Sequence, residues 1–200
     1  NTDVTTLSAK NKLSYQFTER IKGLWKVEIL NGKSDGERNA ESYYTELRSD
    51  YACTELLYYY AQASWLKDRF ADIDSRTILG AGSGYKFLTG PKHFLTGEAG
   101  LTYTIEKLTD DSDDDYVGGR LFGQYDYQLS DTSKFTQNAE LFLDLEQMSN
   151  YRLNTETALT TALNSVLSFK TSYVIKYDNE PADGTEHTDT ILAASLVANF

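Results

Sequence analysis

Apolar and polar residues alternate along most of the chain, which is the period of a β-strand and not of a helix. Residues 118–129 show the pattern clearly, with Leu121 and Tyr125 on one face and Arg120 and Asp126 on the other. The alternation predicts an all-β protein of eleven strands with no helix of any length. The predicted strands are 4–17, 21–30, 42–53, 56–66, 75–88, 93–106, 118–129, 135–146, 151–163, 166–178 and 190–200.

The two faces of these strands differ sharply in charge. The apolar face contains no Asp, Glu, Lys or Arg, whereas the opposite face carries eleven basic and eleven acidic side chains. The whole net charge of -11 therefore lies in connections and strand margins. A neutral polar face of mixed sign suits a confined lumen, because charges in a narrow space are costly unless they are paired.

The charged residues predicted to line such a lumen share the polar face of their strands. They are Lys10, Lys12, Lys26, Glu28, Glu46, Arg48, Asp50, Arg76, Lys86, Glu98, Arg120, Asp126, Glu140, Asp144, Arg152, Glu156, Lys170 and Lys176. We expect the four arginines to form ion pairs across the lumen with carboxylates, because guanidinium groups bind carboxylates bidentately. The expected carboxylate partners are Glu46, Glu98, Asp126, Glu140 and Glu156.

The same alternation also fits a soluble barrel or sandwich whose apolar face is turned inward, so orientation needs separate arguments. The predicted connections alternate between short and long, as the turns and external loops of outer-membrane barrels do. The short ones are 18–20, 54–55, 89–92, 130–134 and 164–165, and the long ones are 31–41, 67–74, 107–117 and 179–189. Connection 147–150 breaks this rhythm, because it is short where a long loop is due.

Aromatic residues on the apolar face fall near the two ends of the strands, where membrane proteins place interfacial girdles. Any single one is explained equally well by the preference of aromatic residues for strands, so the argument rests on the set. The set is Phe17, Tyr51, Tyr85, Tyr127 and Phe200 toward the short connections, and Tyr43, Trp65, Tyr103, Tyr151 and Tyr177 toward the long ones. The final Phe200 is also similar to the terminal signal of outer-membrane barrels.

Short motifs in the chain resemble a known family. These are Gly80-Ala81-Gly82-Ser83-Gly84-Tyr85, Lys67-Asp68-Arg69-Phe70, Glu98-Ala99-Gly100-Leu101-Thr102-Tyr103, and the ending from Tyr177-Asp178-Asn179-Glu180-Pro181 through Asp189 to Phe200. They are similar to the salt-induced outer-membrane protein family, a domain family of unknown function. The resemblance implies a Gram-negative outer-membrane β-barrel, a link to salt or osmotic response, and no catalytic residues. It also implies one further strand before this chain, which makes twelve strands when complete.

Composition excludes several function classes. The acidic balance argues against nucleic-acid binding, since phosphate neutralisation needs clustered Lys and Arg. With Cys53 alone and two histidines far apart in the sequence, no disulfide and no Cys- or His-based metal motif is expected. His93 and His187 fall at opposite ends of the strands with no Gly-x-Ser-x-Gly nearby, so neither an enzyme nor a cofactor is predicted.

One run of carboxylates is a candidate cation-binding loop, since hard cations prefer oxygen ligands. It consists of Asp110, Asp111, Asp113, Asp114 and Asp115. The run lacks the glycine turn and the spacing of an EF-hand loop. A solvated acidic loop is the favoured alternative.

The sequence therefore predicts a single-domain, porin-like transmembrane β-barrel over residues 1–200, in contact with outer-membrane lipids. Its predicted function is a narrow, charge-balanced pore for ions or small polar solutes. Two alternatives stay open: a plugged structural or surface-interaction barrel with cation-binding acidic loops, and a soluble lipid-binding barrel. The pattern of residues does not give the solute or the oligomeric state.

Overall fold

The computed structural model describes residues 4–34, 37–110, 112–181 and 186–198. Within them, eleven strands form one antiparallel sheet in chain order, so that each strand pairs with its neighbours in the sequence. The strands are β1 (Val4–Gln16), β2 (Ile21–Ser34), β3 (Glu37–Ala52), β4 (Leu57–Asp68), β5 (Ile73–Thr89), β6 (His93–Leu108), β7 (Asp113–Gln128), β8 (Ser133–Asp144), β9 (Tyr151–Ala162), β10 (Leu167–Asp178) and β11 (Thr188–Ala198). A single-turn 3-10 helix, Arg69–Ala71, joins β4 to β5.

All eleven predicted strands are confirmed, but several extend well beyond their predicted ends. Strand β2 continues to Ser34 and β3 begins at Glu37, so most of the predicted loop 31–41 is strand. Strand β7 begins at Asp113, inside the predicted loop 107–117. Alternation marks a strand only where its two faces meet different surroundings, whereas backbone pairing can continue where both faces meet water. The predicted rhythm of long loops was therefore wrong at these two connections.

Burial along β4 shows which face is turned inward. Tyr60, Gln62 and Ser64 are buried, and the residues that alternate with them, among them Ala63 and Trp65, are exposed. This is the reverse of a water-soluble sheet, in which the apolar positions are the buried ones. The pattern is the one expected for a strand that faces hydrocarbon on its outer side.

Buried residues elsewhere in the described chain are mostly polar. The buried polar or charged residues are Gln62, Ser64, Thr96, Glu98, Thr102, Thr104, Arg120, Asp144 and Arg152, and the buried hydrophobic ones are Tyr60, Ile73, Ile78, Tyr116 and Ala158. Large apolar side chains such as Leu101, Leu121, Leu192 and Leu196 are exposed. The alternative of a barrel with its apolar face turned inward is therefore wrong.

The chain forms two compact units, Asn1–Ser83 with Gly100–Gly118 and Gly84–Ala99 with Gly119–Phe200. The single domain predicted over residues 1–200 stays a prediction, as does the twelfth strand that would precede this chain. In the part of the chain that the structure describes, no helix has both the length and the hydropathy to cross a bilayer.

Four of the short connections share a hydrogen-bonded turn that the alternation did not reveal. In each, one side-chain oxygen accepts hydrogen bonds from the backbone N–H groups two and three residues later. The accepting residues are Thr18, Thr54, Ser130 and Asn164. Ser, Thr and Asn stabilise turns in this way, because their short side chains reach the following backbone.

Replacing Asn164 by Ala removes the acceptor for the backbone N–H groups of Val166 and Leu167, which lie 2.9 and 2.8 Å from Asn164 Oδ1. We expect the free energy of unfolding to fall by about 1 kcal/mol, the usual net value of such bonds. Urea unfolding in detergent micelles measures this change. Asn164→Asp keeps an acceptor oxygen and Ser165→Ala leaves the turn intact, so a loss as large in either control contradicts the assignment.

Candidate functional site

Each charged residue predicted to line a lumen lies in a strand of the structure, on the face opposite to the apolar one. We call this surface the polar face. Because the strands are antiparallel and pair residue against residue, with a β-bulge between β2 and β3 at Gly32 and Lys33, side chains from adjacent strands meet at the same height on this face. Its chemistry therefore depends on pairs between neighbouring strands.

The most buried charge cluster on the polar face centres on Arg120 in β7. Its Nη1 lies 2.7 Å from Glu98 Oε2 in β6, and its Nε lies 2.6 Å from Glu140 Oε1 in β8. The side chains of Arg120 and Glu98 are 4% and 3% exposed, and that of Glu140 is 28% exposed. The guanidinium also lies 5.2 Å from the ring centroid of Phe122. Three strands are therefore joined by one desolvated cation.

Other basic residues on the polar face are paired in the same way. Arg76 forms an ion pair with Glu106, and Arg48 Nε lies 2.7 Å from Asp50 Oδ1. Further pairs are Lys10–Glu28, Lys26–Glu28 and Lys170–Glu156, at 3.1, 2.9 and 2.7 Å. Arg152 is buried beside the Phe142 ring, 5.8 Å from its centroid.

The carboxylates that the arginines bind differ in part from those that the sequence predicted. Arg120 does bind two of the expected carboxylates, but Arg48 binds Asp50 on its own strand and Arg76 binds Glu106 on the adjacent one. Each pair named here joins residues of one strand or of adjacent strands, and an ion-pair network across a lumen stays a prediction. Adjacent strands lie about 4.8 Å apart, which is within reach of a single side chain and favours a partner on the same strand or on the neighbouring one.

Tyr60 on the polar face packs against glycine, a contact that sequence reasoning missed. The Arg48 guanidinium lies 4.4 Å from the centroid of its ring, and its hydroxyl lies where a Cβ on Gly100 would stand. The Gly80 position is also tight, with Gln62 and Thr102 side-chain carbons 3.3 Å from a Cβ placed there.

Those predicted interfacial aromatic residues that the structure describes lie on the face opposite to the polar one. Phe17, Tyr51, Trp65, Tyr85 and Tyr103 are exposed, whereas Tyr43, Tyr127, Tyr151 and Tyr177 are half-buried. Some contact each other at the strand ends, as Tyr151 and Tyr177 do with ring centroids 5.8 Å apart. Phe200 lies outside the described residues. Their placement is compatible with girdles, and their interfacial role stays a prediction.

The acidic run does not form one loop. Asp113, Asp114 and Asp115 are the first residues of β7, Asp110 lies in the preceding turn, and Asp111 lies outside the described residues. The Ser112 hydroxyl and backbone N–H donate to Asp110 Oδ1 at 2.6 and 2.9 Å and hold the pKa of that carboxyl below its usual range. Asp115 accepts a hydrogen bond from the Tyr103 hydroxyl.

Metal-ligating side chains do not cluster in the described residues, where no three His, Cys, Asp or Glu side chains meet in a geometry suited to a metal. Strand alternation also separates the acidic run, because it turns Asp114 to the face opposite to that of Asp113 and Asp115. A cation site at this run stays a prediction.

Comparison with known protein families shows the family to which this chain belongs. Residues 1–200 match the family described as "Protein of unknown function, DUF481". The chain belongs to the DUF481 family. The description of the DUF481 family contains no activity, so the link to salt implied by the resemblance stays a prediction.

The DUF481 chain is similar to one curated relative in sequence and to several solved β-barrel structures in fold. It is 34% identical over 197 residues to the "Uncharacterized protein YdiY" of Escherichia coli (strain K12), covering 98% of this chain and 76% of that protein. The NanC porin superposes with a TM-score of 0.64 at 7% identity, covering 100% of this chain and 97% of that one. The translocator domain of autotransporter NalP from Neisseria meningitidis gives a TM-score of 0.61 at 13% identity, covering 100% and 81%.

The KdgM porin also resembles this chain, with a TM-score of 0.52 at 10% identity over 100% of this chain and 98% of that one. At these identities the likeness concerns the fold alone. The predicted antiparallel β-barrel fold is therefore confirmed, and the neighbours in fold named here include two porins.

Proposed function

We propose that this protein is an outer-membrane β-barrel that conducts ions or small polar solutes through a narrow lumen lined by its polar face. The observation that carries the proposal is the reversed burial of its strands, with charged and hydroxyl side chains inside and leucines and aromatic residues outside. An exposed apolar band around a polar interior is the arrangement of a barrel in hydrocarbon. The porins among its neighbours in fold support the same function.

The pairing of charges on the polar face determines which ion selectivity we expect of the pore. Basic side chains such as Arg48, Arg76 and Lys170 are each paired with a carboxylate close by. A ring of like charges selects ions of one sign, whereas paired charges largely cancel at the distance of a passing ion. We therefore expect weak preference between small anions and cations, with passage limited by size.

Conductance of the purified protein in planar bilayers tests this function. We expect discrete steps in KCl and a reversal potential close to zero under a KCl gradient. Protein that is shown to be folded in the same preparation but gives no conductance would overturn the pore and favour a plugged structural barrel.

A charge variant tests whether the polar face is the conducting surface. Lys170 and Glu156 form a partly exposed ion pair, with Lys170 Nζ 2.7 Å from Glu156 Oε1. Lys170→Gln removes the ammonium charge and keeps the carboxylate. We therefore expect the reversal potential to shift toward cation selectivity. The matched control is Lys92→Gln, since Lys92 lies in a short connection outside the strands. Equal reversal potentials for both variants would contradict conduction along the polar face.

A further inference from the structure

The apolar face of β8 and β9 carries polar side chains near the middle of both strands. Gln137 is the fifth of the twelve residues of β8, and Thr157, its partner in the register, is the seventh of the twelve residues of β9. Ala139 and Thr155 form the next pair on the same face. We call these four residues the amide patch. A membrane-spanning β-strand needs about 9–11 residues, so the amide patch lies at the depth of the hydrocarbon.

The side-chain amide of Gln137 uses half of its hydrogen-bonding capacity within its own chain. Its Oε1 accepts a hydrogen bond from the Thr157 hydroxyl at 2.5 Å, and its Nε2 donates to the backbone oxygen of Asn138 at 3.0 Å. Nε2 carries two N–H groups, and Oε1 has two lone pairs. One N–H and one lone pair of this amide therefore have no partner in the part of the chain that the structure describes.

Hydrocarbon chains of lipids offer this amide neither a donor nor an acceptor. An unsatisfied polar group is costly in the bilayer core, because no water is present there to bind it. Phe135 and Leu141 stand on the same face of β8, on either side of the amide along the strand. Gln137 itself is half-buried, so its amide still reaches the surface. The partner that suits it is therefore another protein amide at the same depth.

A second copy of this chain supplies such an amide. Two copies inserted in the same direction are related by a two-fold axis along the bilayer normal, so that identical residues meet at equal depth. Two facing primary amides pair through two reciprocal N–H···O bonds, and each amide uses one N–H and one lone pair. Within Ser133–Asp144 and Tyr151–Ala162, the apolar face carries no charged side chain, so two copies would bring no like charges together there.

We propose that the amide patch is the interface of a homodimer in the membrane, centred on a pair of Gln137 side chains. The hydroxyl of Thr157 fixes the orientation of the amide before the copies meet. The short side chains of Ala139 and Thr155 let the two sheets approach to about 10 Å, the usual distance between stacked sheets. The inference goes beyond the proposed pore, since it uses the outward orientation of the apolar face and does not depend on conductance.

Sedimentation equilibrium of the full chain, in detergent micelles matched to the density of the solvent, measures self-association. We expect a reversible dimer, and a dimer dissociation constant about tenfold higher for Gln137→Leu, because two hydrogen bonds between membrane segments are lost. The matched control is Asn11→Leu, which removes an amide from the apolar face of β1 and should leave the dissociation constant unchanged. Leucine suits an apolar face in contact with lipid, so we expect both variants to fold.

Cross-linking in lipid vesicles locates the interface. Ala139→Cys and Ala63→Cys are each made in a protein that also carries Cys53→Ser, which removes the cysteine of the natural chain. Both alanines are exposed on the apolar face, Ala139 in the amide patch and Ala63 in β4. We expect a short bis-maleimide to link two copies through Cys at position 139, and at least about tenfold less product from position 63.

Three results would overturn the proposal. Folded protein that is monomeric at every concentration would show that lipid or detergent covers the amide patch. A Gln137→Leu variant that dimerises as tightly as the unmodified protein, or equal cross-linking from positions 139 and 63, would place the interface elsewhere. Both experiments are made without a bilayer current, so a failure here leaves the proposed pore intact, and a pore without conductance leaves the dimer intact.

Discussion

Replacing Arg120 by Ala is expected to lower the free energy of unfolding by about 3–5 kcal/mol, the usual effect of removing one partner from a buried ion pair. Glu98 is 3% exposed and would lose the guanidinium that lies 2.7 Å from it. Burial of a carboxylate that has lost its guanidinium partner is the cause of the loss, and not the value of the ion pair itself. Urea unfolding in detergent micelles, followed by tryptophan fluorescence, measures the difference.

The matched control is Lys170→Ala, because the Lys170–Glu156 pair has the same 2.7 Å separation but both side chains are about 30% exposed. This change should cost less than about 1 kcal/mol. The double variant Arg120→Met with Glu98→Gln removes the buried charge and should recover part of the loss. Losses of equal size for Arg120→Ala and Lys170→Ala would show that the Arg120 cluster is hydrated in solution.

Gly100→Ala is the second change expected to have a large effect, because the polar face has no room for a methyl group at this position. A Cβ on Gly100 would overlap the Tyr60 hydroxyl and stand 2.6 Å from the backbone oxygen of Ala81. Overpacking of this kind costs about 1–3 kcal/mol, which outweighs the roughly 0.4–1 kcal/mol gained by restricting the unfolded chain. The same urea unfolding experiment measures the net loss.

Gly123→Ala is the control for this prediction, because Gly123 also lies within a strand and the nearest atom to a Cβ there is 4.0 Å away. We expect it to be neutral or slightly stabilising. Adding Tyr60→Phe to Gly100→Ala removes the hydroxyl and should recover part of the stability, but not the contact with the Ala81 backbone. If Gly100→Ala is as stable as Gly123→Ala, the packing of Tyr60 over Gly100 is wrong.

The number of strands and the identity of their faces could be predicted from the sequence, because each face meets one kind of surroundings along its whole length. The alternation of Arg120 and Leu121 in β7 is a local property of the chain, and it needs no knowledge of neighbouring strands. Strand ends could not be predicted in the same way. Asp113 to Asp115 are all charged, so no alternation shows that they belong to β7.

Contacts between the side chains of different strands could not be predicted from the sequence, for a different reason. Whether Arg76 binds Glu106 or Glu98 on the adjacent strand depends on register and side-chain conformation, which the hydrophobic pattern leaves open. The packing of Tyr60 over Gly100 likewise joins residues of two strands that are not adjacent. The connection between β4 and β5 contains one left-handed backbone conformation, at Asp72, which the hydrophobic pattern does not indicate.

The exposure of the leucines and aromatic residues bears on how the chain acquires its structure. In water such a polypeptide would collapse by burying these residues against one another, and that collapse leads away from the native arrangement. Native strand pairing becomes favourable only when an apolar phase receives the exposed face. We therefore expect folding to be coupled to insertion into an apolar phase, and the chain to aggregate when that phase is withheld.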